Sequence, residues 1–450
     1  MIRYRARWVV PISSPPIADG IVAVDGDRIV YVGASTNESG DELEDLGDVL
    51  LLPGLVNAHC HLELTAMRGF LEDLEFHRWI LRLTRARRAV LDDDALLDSA
   101  RYGLEEGVRA GITAYADTCQ SGVAIRAMRD AGVRGVMFQE VFGPDPAQFA
   151  TSIAELRERV AGLRYLETPL VRLGISPHAP YTVSDELFRG ATALAREQRL
   201  PMAIHIAESE AERQLVVEGG GAFASALRQR GFRVAPRARS AISLLSTLGV
   251  LDVAPLLIHC VHIDERDIEA IAASHSSVAH CPASNAKLGH GVAPLAELLH
   301  AGVTVGLGSD SMASNNRMNI LEEARLALLT QRARLRTSER PDAASVLELA
   351  TIGGARAIGI DELVGSLAVG KQADLAAFAL DAHAPTQDPV AAAVYSITAT
   401  QARFVSVAGR PLVRNGTLVS HRPALAARVQ ALGDALADWL ASGGEMRGAR

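Results

Sequence analysis

The chain has 450 residues, 48% of them hydrophobic and 4% aromatic, and a formal net charge of −8, which suits one large α/β domain with an appendage. The sequence contains no long basic run, so we exclude nucleic acid as a partner, and no apolar run long enough to span a bilayer, so we expect no membrane contact. Four scattered cysteines are too few for a disulfide framework, and a reduced, cytoplasmic protein is the simplest interpretation.

The first 53 residues predict short β-strands. Residues 1–16 combine basic residues with a short apolar part that prolines interrupt, which indicates a first strand and not a signal peptide. Residues 17–33 read IADGIVAVDGDRIVYVG, and the Asp25-Gly26 pair inside them is a typical hairpin turn. The segment is too small to have a hydrophobic core of its own.

Eight short apolar, β-rich runs follow, and each leads towards a polar residue. Helix-like segments such as 93–111 and 151–163 lie between most of them, and this alternation is typical of parallel βαβ units. Eight such units predict an α/β fold with a (β/α)8 TIM barrel, to which we assign residues 54–364. The runs are LLLPGLVNAHCH (50–61), GITAYADT (111–118), RGVMFQEV (134–141), VRLGISPHAP (171–180), MAIHIAES (202–209), PLLIHCVHI (255–263), SSVAHCPASN (276–285) and VTVGLGSDS (303–311).

The strand-like pattern returns after residue 364. It reads GSLAVGKQADLAAFAL and then ARFVSVAGRPLVRNGTLV, with a second turn signal at Asn415-Gly416. We predict that residues 365–422 pair with residues 1–53 in one small β-sandwich domain. Residues 423–450 are predicted as a C-terminal helix and tail, because residues 424–443 have an amphipathic pattern.

Polar residues at the predicted strand ends form a set. In an extended strand, side chains two residues apart share a face, so His59 and His61 converge while Cys60 points away. Active sites of such barrels form at the face where the carboxyl ends of the strands meet. For any single histidine, a hydrogen-bonded structural role remains the simpler explanation. The other strand-end residues are His178, His205, His259, His280 and Asp310.

Three neutral imidazoles and one carboxylate suit a catalytic divalent metal with an open position for water. Such a metal lowers the pKa of its water towards neutrality, and a further group must then move protons to the leaving group. Glu208, three residues after His205, can return over the metal from the turn; an exposed loop glutamate is the plainer alternative. The predicted metal ligands are His59, His61, His205 and Asp310.

Six stretches, in this order and spacing, resemble the amidohydrolase superfamily, and within it the branch that deaminates purines, adenosyl compounds and related heterocycles. The resemblance covers nearly the whole chain. It implies that Asp310 accepts a proton from the attacking water, that Glu208 passes a proton to a ring nitrogen, and that His259 orients the metal-bound water. The stretches are PGLVNAHCHLE, SPHAPYTVS, HIAESE, HCVH, HCPASNAKLGHG and GLGSDSMASNN.

The same resemblance implies residues around the substrate and the number of metal ions. His178 would contact the substrate, and a wall of the site would include His280, Asn285 and Ser284. Binuclear members of the superfamily carry a carboxylated lysine near the end of strand four, whereas the two lysines here are Lys287 and Lys371. The resemblance therefore implies one divalent metal; zinc is favoured, and the ligand types also suit iron.

The substrate is indicated by departures from the pattern of adenosylhomocysteine and methylthioadenosine deaminases. Those enzymes usually place an acidic residue, which grips the ribose, two positions before a tryptophan, and an arginine on strand three. Here His77 precedes Trp79, and strand three has Gln139 and Glu140. The stretches HLELTAMRG, QEVFGPDP and GGGAF instead resemble aminodeoxyfutalosine deaminases of the futalosine route to menaquinone, which makes aminodeoxyfutalosine the favoured substrate.

Four more candidate substrate contacts follow from this resemblance. For Glu63 and Arg68, a salt-bridged pair at the rim of the site is an equally good interpretation. Gly219–Gly221 either belong to a mobile substrate loop or simply end a helix. The four candidates are Glu63, Arg68, Trp79 and Gln139.

Other functions remain open at this point. The same metal chemistry serves triazine chlorohydrolases, cyclic amide hydrolases such as imidazolonepropionase, and enzymes that cleave N-acyl bonds. Glu208 favours a deaminase, because a ring nitrogen must be protonated before ammonia leaves, and dechlorination needs this acid less. A non-catalytic binding protein would be expected to lack a ligand, and none is missing. The expected partner is a small heterocyclic amine, and the resemblance allows a homodimer.

Overall fold

The computed structural model describes residues 1–34, 42–380, 382, 384–397 and 401–444. The N-terminal strands are β1 (Ile2–Val9), β2 (Ile17–Asp25), β3 (Arg28–Ala34), β4 (Glu42–Asp45) and β5 (Val49–Pro53). β2 and β3 form the hairpin that the Asp25-Gly26 pair predicts: Asp25 lies opposite Arg28, and Gly26 has a φ of 59° that glycine adopts without strain.

The barrel strands are β6 (Leu55–His61), β7 (Ile112–Cys119), β8 (Arg134–Val141), β9 (Val171–Pro177), β10 (Ala203–Ile206), β11 (Leu256–His259), β12 (Ser277–His280) and β13 (Val305–Leu307), followed by the short β14 (Asp310–Ser311). Neighbouring strands pair in parallel within a sheet of β6–β9 and a sheet of β10–β13. A bridge between Ile175 and Met202 joins the two sheets on one side, and β14 pairs with Cys60 and His61 on the other. The strands therefore close into a barrel.

Helices alternate with these strands, as the pattern of the sequence predicts. α2 and α4 confirm the two helices expected near 93–111 and 151–163, and the carboxylate of Asp92 caps α2 by accepting from the N–H of Ala95. The helices are α1 (Phe76–Val90), α2 (Asp93–Arg109), α3 (Val123–Ala131), α4 (Phe149–Leu163), α5 (Asp185–Gln198), α6 (Glu210–Arg213), α7 (Gly221–Gln229), α8 (Ala241–Thr247), α9 (Glu265–Ala273), α10 (Pro282–Lys287), α11 (Leu295–His300), α12 (Met312–Asn315), α13 (Ile320–Leu335), α14 (Ala343–Glu348) and α15 (Gly354–Ala357).

The C-terminal elements are β15 (Leu375–Ala379), α16 (Pro389–Tyr395), β16 (Ala402–Val407), β17 (Arg410–Arg414), β18 (Thr417–Leu418) and α17 (Leu425–Ala441). β15 runs antiparallel to β5, which joins both ends of the chain in one nine-stranded sheet of order β18-β17-β16-β15-β5-β1-β2-β3, with β4 beside β1. The predicted fold class, an α/β TIM barrel with a small β domain made from both chain ends, is confirmed. The strands of that domain, which were predicted to form a β-sandwich, belong to one nine-stranded sheet.

Two features connect the parts of the molecule. The buried Arg134 at the start of β8 forms an ion pair with the equally buried Asp374, which precedes β15, at 3.0 Å. α17 packs its Leu436 and Trp439 into a cluster with side chains of α1, and its Arg428 pairs with Asp98 of α2.

Within the described residues, no helix combines the length and the apolar character needed to cross a membrane.

Candidate active site

Three histidines from two strands bring imidazole nitrogens together at the carboxyl-terminal face of the barrel. His59 and His61 end β6, and His205 lies on β10. The Nε2 atoms of His61 and His205 are 3.2 Å apart, and each of the three residues offers a nitrogen within 4.8 Å of the others. The structure thus assembles the three histidines that the sequence pattern predicts as ligands.

Asp310 faces these histidines from β14. Its Oδ1 atom lies 3.3 Å from Nε2 of His59 and 3.6 Å from Nε2 of His61. The hydroxyls of Ser284 and Ser314 donate to Oδ2 at 2.5 and 3.0 Å and fix the carboxylate. Asp310 has a φ of 56°, a conformation that is costly for a residue with a Cβ and is concentrated at functional sites. We call His59, His61, His205 and Asp310 the metal-ligand group.

The protonation states of the metal-ligand group suit a metal. Burial lowers the pKa of all three imidazoles, so they are neutral near pH 7. Burial alone would raise the pKa of Asp310, but the adjacent His59 and the other surrounding imidazoles hold it well below its usual range. The buried Nε2 of His59 lies 3.3 Å from the carboxylate of Asp310 but has no partner in hydrogen-bonding geometry in the described part of the chain. Three neutral nitrogens and one carboxylate therefore fit a catalytic divalent metal.

Glu208 and His259 lie beside the metal-ligand group. Ala207, with a φ of 52°, follows β10 and turns the chain so that Glu208 returns over the strand ends, as predicted. Oε1 of Glu208 is 3.6 Å from Nε2 of His259 and 3.3 Å from Nε2 of His290. Burial alone would raise the pKa of Glu208, but these two histidines hold it below its usual value, so the carboxylate is ready to accept a proton. Oδ1 of Asn285 lies 3.0 Å from Nδ1 of His259 and orients that ring.

A cavity of about 600 Å³ opens over this cluster and contacts Glu208, His259 and Asp310. The outer part of its lining comes from α1 and α7 and is largely apolar, with aromatic rings among its residues. The rings of Tyr181 and Phe223 stack with centroids 4.3 Å apart. The cavity is thus polar at its base and apolar along its side, which is the usual composition of a small-molecule site. Other lining residues of the outer part are Phe76, Trp79, Leu227, Arg85, Arg88 and Arg230.

Two of the predicted substrate contacts, His178 and Trp79, line the cavity. Nδ1 of His178 is 2.8 Å from the hydroxyl of Thr182, and its ring centroid is 4.7 Å from that of His205. Burial lowers the pKa of His178 to about 3, so this imidazole stays neutral at physiological pH. A neutral His178 beside His205 can give or accept one hydrogen bond with a substrate.

Glu63 also lines the cavity, but it is held by the protein. Nη2 of Arg87 lies 2.9 Å from its Oε1, while Oε2 accepts from Cys119 and from Ser121. The alternative interpretation, a salt-bridged pair of Glu63 with Arg68, is wrong, because Arg68 pairs with Glu106 of α2 instead. Glu63 is therefore a fixed part of the cavity wall.

Four of the candidate contacts are not among the residues that line the cavity. The guanidinium of Arg68 is bound to Glu106. Gln139 turns its amide to the backbone carbonyl of Gln120 at 2.9 Å, because strand alternation on β8 directs the next residue, Glu140, into the cavity. Asn285 acts on His259, and both ring nitrogens of the buried His280 are unpartnered in the described structure. The four are Arg68, Gln139, His280 and Asn285.

Several residues at the site had no role in the sequence interpretation. Glu140 is adjacent to Gln139, the residue that was predicted to contact the substrate. Only the direction in which successive side chains point from β8 decides which of the two faces the cavity. His290 lies in the quoted stretch HCPASNAKLGHG, but no spacing rule indicates that it reaches Glu208. The aromatic residues of α1 and α7 are apolar positions that resemble ordinary core until both helices are placed over the cavity.

The two lysines and the glycine cluster have clear positions. Nζ of Lys287 lies 2.8 Å from Glu72, and neither Lys287 nor Lys371 is among the lining residues of the cavity. Gly219 ends a helical segment with a φ of 60°, and α7 begins at Gly221. The glycines therefore end one helix and start the next, which is the second of the two interpretations offered for them.

A model of the amidohydrolase family matches residues 50–417. The chain is also 33% identical over 407 residues to a 5-methylthioadenosine/S-adenosylhomocysteine deaminase of Halobacterium salinarum, and the match covers 89% of each protein. This chain belongs to the amidohydrolase family and is an enzyme of the class that hydrolyses carbon–nitrogen bonds.

Solved structures agree with this assignment over almost the full length. An adenosine deaminase from Xanthomonas campestris with bound zinc has a TM-score of 0.85 and 28% identity, with 97% of this chain and 98% of that one covered. The zinc-complexed atrazine chlorohydrolase of Arthrobacter aurescens has a TM-score of 0.83 and 25% identity, covering 96% and 100%. The aminofutalosine deaminase of Helicobacter pylori, at 19% identity, a TM-score of 0.81 and coverage of 92% and 100%, shows the fold alone.

Proposed function

We propose that this amidohydrolase removes the 6-amino group of an adenine-type nucleoside and releases ammonia. The observation that carries this proposal is the position of Glu208, whose Oε1 is 3.6 Å from His259 in a cavity that also contains Asp310. A base bound with its 6-amino end at these groups places a ring nitrogen next to a carboxylate that can move a proton.

The residues of the site divide the proton transfers between them. The metal-ligand group would hold one divalent metal, zinc being favoured, and a metal there makes water a nucleophile at neutral pH. Glu208 accepts one proton of the attacking water and delivers it to the ring nitrogen beside C6. Asp310 accepts the second proton, which leaves with the amino group as ammonia. A carbon–oxygen bond forms and the carbon–nitrogen bond breaks, so the base becomes a 6-oxo purine.

The comparisons support a nucleoside as the substrate. The relative from Halobacterium salinarum is named for methylthioadenosine and adenosylhomocysteine, and the neighbouring structure from Xanthomonas campestris is an adenosine deaminase. The likeness to an atrazine chlorohydrolase supports a triazine as the second candidate. Glu208 favours the nucleoside over the triazine. Loss of ammonia from a purine requires the ring nitrogen to be protonated, whereas chloride leaves without a proton.

Within the adenine nucleosides we favour aminodeoxyfutalosine, a precursor of menaquinone that carries a carboxylated aromatic ring beyond its sugar. The outer part of the cavity offers aromatic surface from Phe76 and Phe223. It also contains three exposed arginines, Arg85, Arg88 and Arg230, and none of them has a carboxylate partner among the described residues. An uncharged substituent such as the methylthio group would leave these guanidinium groups without a role.

The test is release of ammonia from a panel of nucleosides by the zinc-loaded protein. The panel contains adenosine, methylthioadenosine, adenosylhomocysteine and aminodeoxyfutalosine, and a chlorinated triazine is assayed for chloride. We expect turnover of aminodeoxyfutalosine, lost in Glu208→Gln and kept in Glu210→Gln, a half-exposed neighbour that pairs with Arg213. Turnover of another adenosine alone would retain the reaction and reject the favoured substrate. Release of chloride without ammonia would overturn the proposal.

A further inference from the structure

His290 is a buried histidine beside the proton-transferring carboxylate, and the proposed reaction gives it no role. It lies between α10 and α11, its side chain is 3% exposed, and its Nε2 is 3.3 Å from Oε1 of Glu208. His290 is not among the residues that line the cavity, and it belongs to none of the metal-compatible clusters of the described residues. This placement directs any effect of His290 on the reaction through Glu208.

The chain around His290 is built to hold its imidazole in this position. Gly289 and Gly291 flank it with φ values of 70° and 109°, conformations that favour glycine. The backbone N–H of His290 donates to the carbonyl oxygen of Asn285 at 2.9 Å. The ring of Phe76, from α1, packs edge-on against the imidazole with centroids 4.6 Å apart. The ring is therefore fixed from its own backbone and from α1.

His259 also faces Oε1 of Glu208, at 3.6 Å from its Nε2, but it is not a donor to this oxygen. Nδ1 of His259 lies 3.0 Å from the side-chain oxygen of Asn285, which only accepts hydrogen bonds, so Nδ1 carries the ring hydrogen. The other nitrogen of a neutral imidazole then has a lone pair and accepts. Nε2 of His259 is thus left to accept a hydrogen bond from the attacking water, and the carboxylate of Glu208 needs another donor.

His290 is the remaining candidate for this donor. Among the described residues, the ion-pairing partners of Glu208 are His259 and His290, without an arginine or lysine. Nε2 of His290 is buried and has no partner in hydrogen-bonding geometry in the part of the chain that the structure describes. A buried donor and a buried acceptor are both costly when unpaired, and one bond from Nε2 to Oε1 satisfies both. Hydrogen bonds of catalytic groups commonly tighten only when the substrate is bound.

We propose that His290 is a positioning residue, which donates from Nε2 to Oε1 of Glu208 and leaves Oε2 to carry the proton from the attacking water to the ring nitrogen. This inference rests on the proposed nucleoside deamination and adds to it the group that orients the proton carrier. His290 is not a catalytic residue in this role, because it touches neither the substrate nor the reacting atoms.

The first experiment measures steady-state kinetics of His290→Leu and His290→Gln on the nucleoside that the wild-type enzyme deaminates. His290→Leu keeps much of the volume and removes the donor, so we expect kcat to fall about 100-fold with KM within about threefold of wild type. His290→Gln brings a side-chain N–H towards Oε1 of Glu208 and should recover about tenfold of that loss. The control is His300→Gln, because His300 is the exposed last residue of α11. Melting temperature and metal content, measured on every variant, should match the wild type.

The second experiment places His290→Leu in the Glu208→Gln background. If His290 acts through the carboxylate of Glu208, its removal should cost less than about threefold there, because effects of residues that act as a unit do not add. His290→Met serves as a second apolar replacement if His290→Leu does not fold.

Three results would overturn the inference and leave the deaminase proposal intact. They are a kcat of the apolar variant within about threefold of wild type, equal losses in the apolar and glutamine variants, and a full additional loss in the Glu208→Gln background. The wild-type assay tests the deaminase proposal separately, since no ammonia from any nucleoside of the panel would overturn both.

Discussion

The carboxyl group of Glu212 holds the backbone of Glu208: its Oε2 accepts the N–H of Glu208 at 2.9 Å, and its Oε1 accepts the N–H of Ala207 at 2.9 Å. Glu212 is completely buried, and burial raises its pKa to about 8. Ala207 has a positive φ, so the turn after β10 depends on these two hydrogen bonds for its shape. Glu212 is therefore a positioning residue for the proton-transferring carboxylate.

Replacing Glu212 by alanine should lower kcat about 10- to 100-fold with little change in KM, because Glu208 loses its fixed position while the cavity wall stays intact. Glu212→Gln keeps one of the two acceptors and should lose less. The measurements are steady-state kinetics and metal content, which we expect to remain unchanged. An equal loss in a variant of the exposed Glu265, or a loss of bound metal, would contradict this role.

The part of the site that could be predicted from the sequence is the part that local geometry determines. His59 and His61 converge because they are two residues apart on one strand, and the other ligands end strands whose carboxyl ends must meet in a barrel. Glu208 could be predicted because the turn that carries it directly follows a ligand. These relationships need no knowledge of how distant side chains pack.

The rest of the site depends on long-range packing. Arg68 pairs with Glu106, which lies 38 positions away, and Glu63 pairs with Arg87 and not with Arg68. The choice between Gln139 and Glu140 depends on which face of β8 turns inward, and both faces of that strand are buried. A strand buried on both faces gives no alternation of polar and apolar residues from which to read its phase.

Removing the metal should abolish activity and lower thermal stability. The metal-ligand group packs three imidazoles and a carboxylate in the interior, and without a metal their lone pairs lack a shared partner. We expect chelation to remove one equivalent per chain, to lower the melting temperature by several degrees, and to be reversed by zinc. His205→Ala should mimic chelation, whereas His421→Ala, half exposed, should not. Two equivalents per chain, or activity after complete removal, would contradict the single-metal site.

Neutralising the arginines at the outer end of the cavity should act on charged substrates alone. Arg85 and Arg88 lie on α1, and Arg230 follows α7. The Arg85→Gln/Arg88→Gln variant should raise KM for a carboxylated nucleoside about tenfold and weaken its dependence on salt, with KM for methylthioadenosine unchanged. Arg82→Gln is the matched control, because Arg82 is exposed on the same helix and does not line the cavity. Equal effects on both substrates would reject an anionic group at this end.

His280 should make the protein sensitive to acid. Burial lowers the pKa of His280 from 6.5 to about 4. The unfolded chain therefore binds a proton at this histidine below pH 6.5, whereas the folded chain does so only below about pH 4. The free energy of unfolding therefore falls as the pH drops through this window, by about 3 kcal/mol in total. His280→Leu, which has a similar volume, should remove this contribution. Parallel stability curves for wild type and variant between pH 7 and 4, measured by urea unfolding, would refute it.

Breaking the buried ion pair between the barrel and the β domain should destabilise the whole chain. Nε and Nη2 of Arg134 bind the carboxylate of Asp374 at 3.1 and 3.0 Å, and the same carboxylate accepts the N–H of Ala408 at 2.8 Å. Asp374→Ala leaves a buried guanidinium and a backbone donor unpaired, which should cost about 3–5 kcal/mol of unfolding free energy. The exposed pair of Arg7 with Asp48 is the control.

The control should show how much of that cost comes from burial. Arg7→Ala breaks an ion pair of similar length, 2.9 Å, whose side chains remain about two-fifths exposed, so we expect a loss below about 1 kcal/mol. The double variant Arg134→Met/Asp374→Leu removes both charges together and should recover much of the stability lost in Asp374→Ala, because no unpaired charge remains inside. Equal losses in Asp374→Ala and Arg7→Ala, measured by urea unfolding, would show that the two parts of the molecule do not depend on this contact.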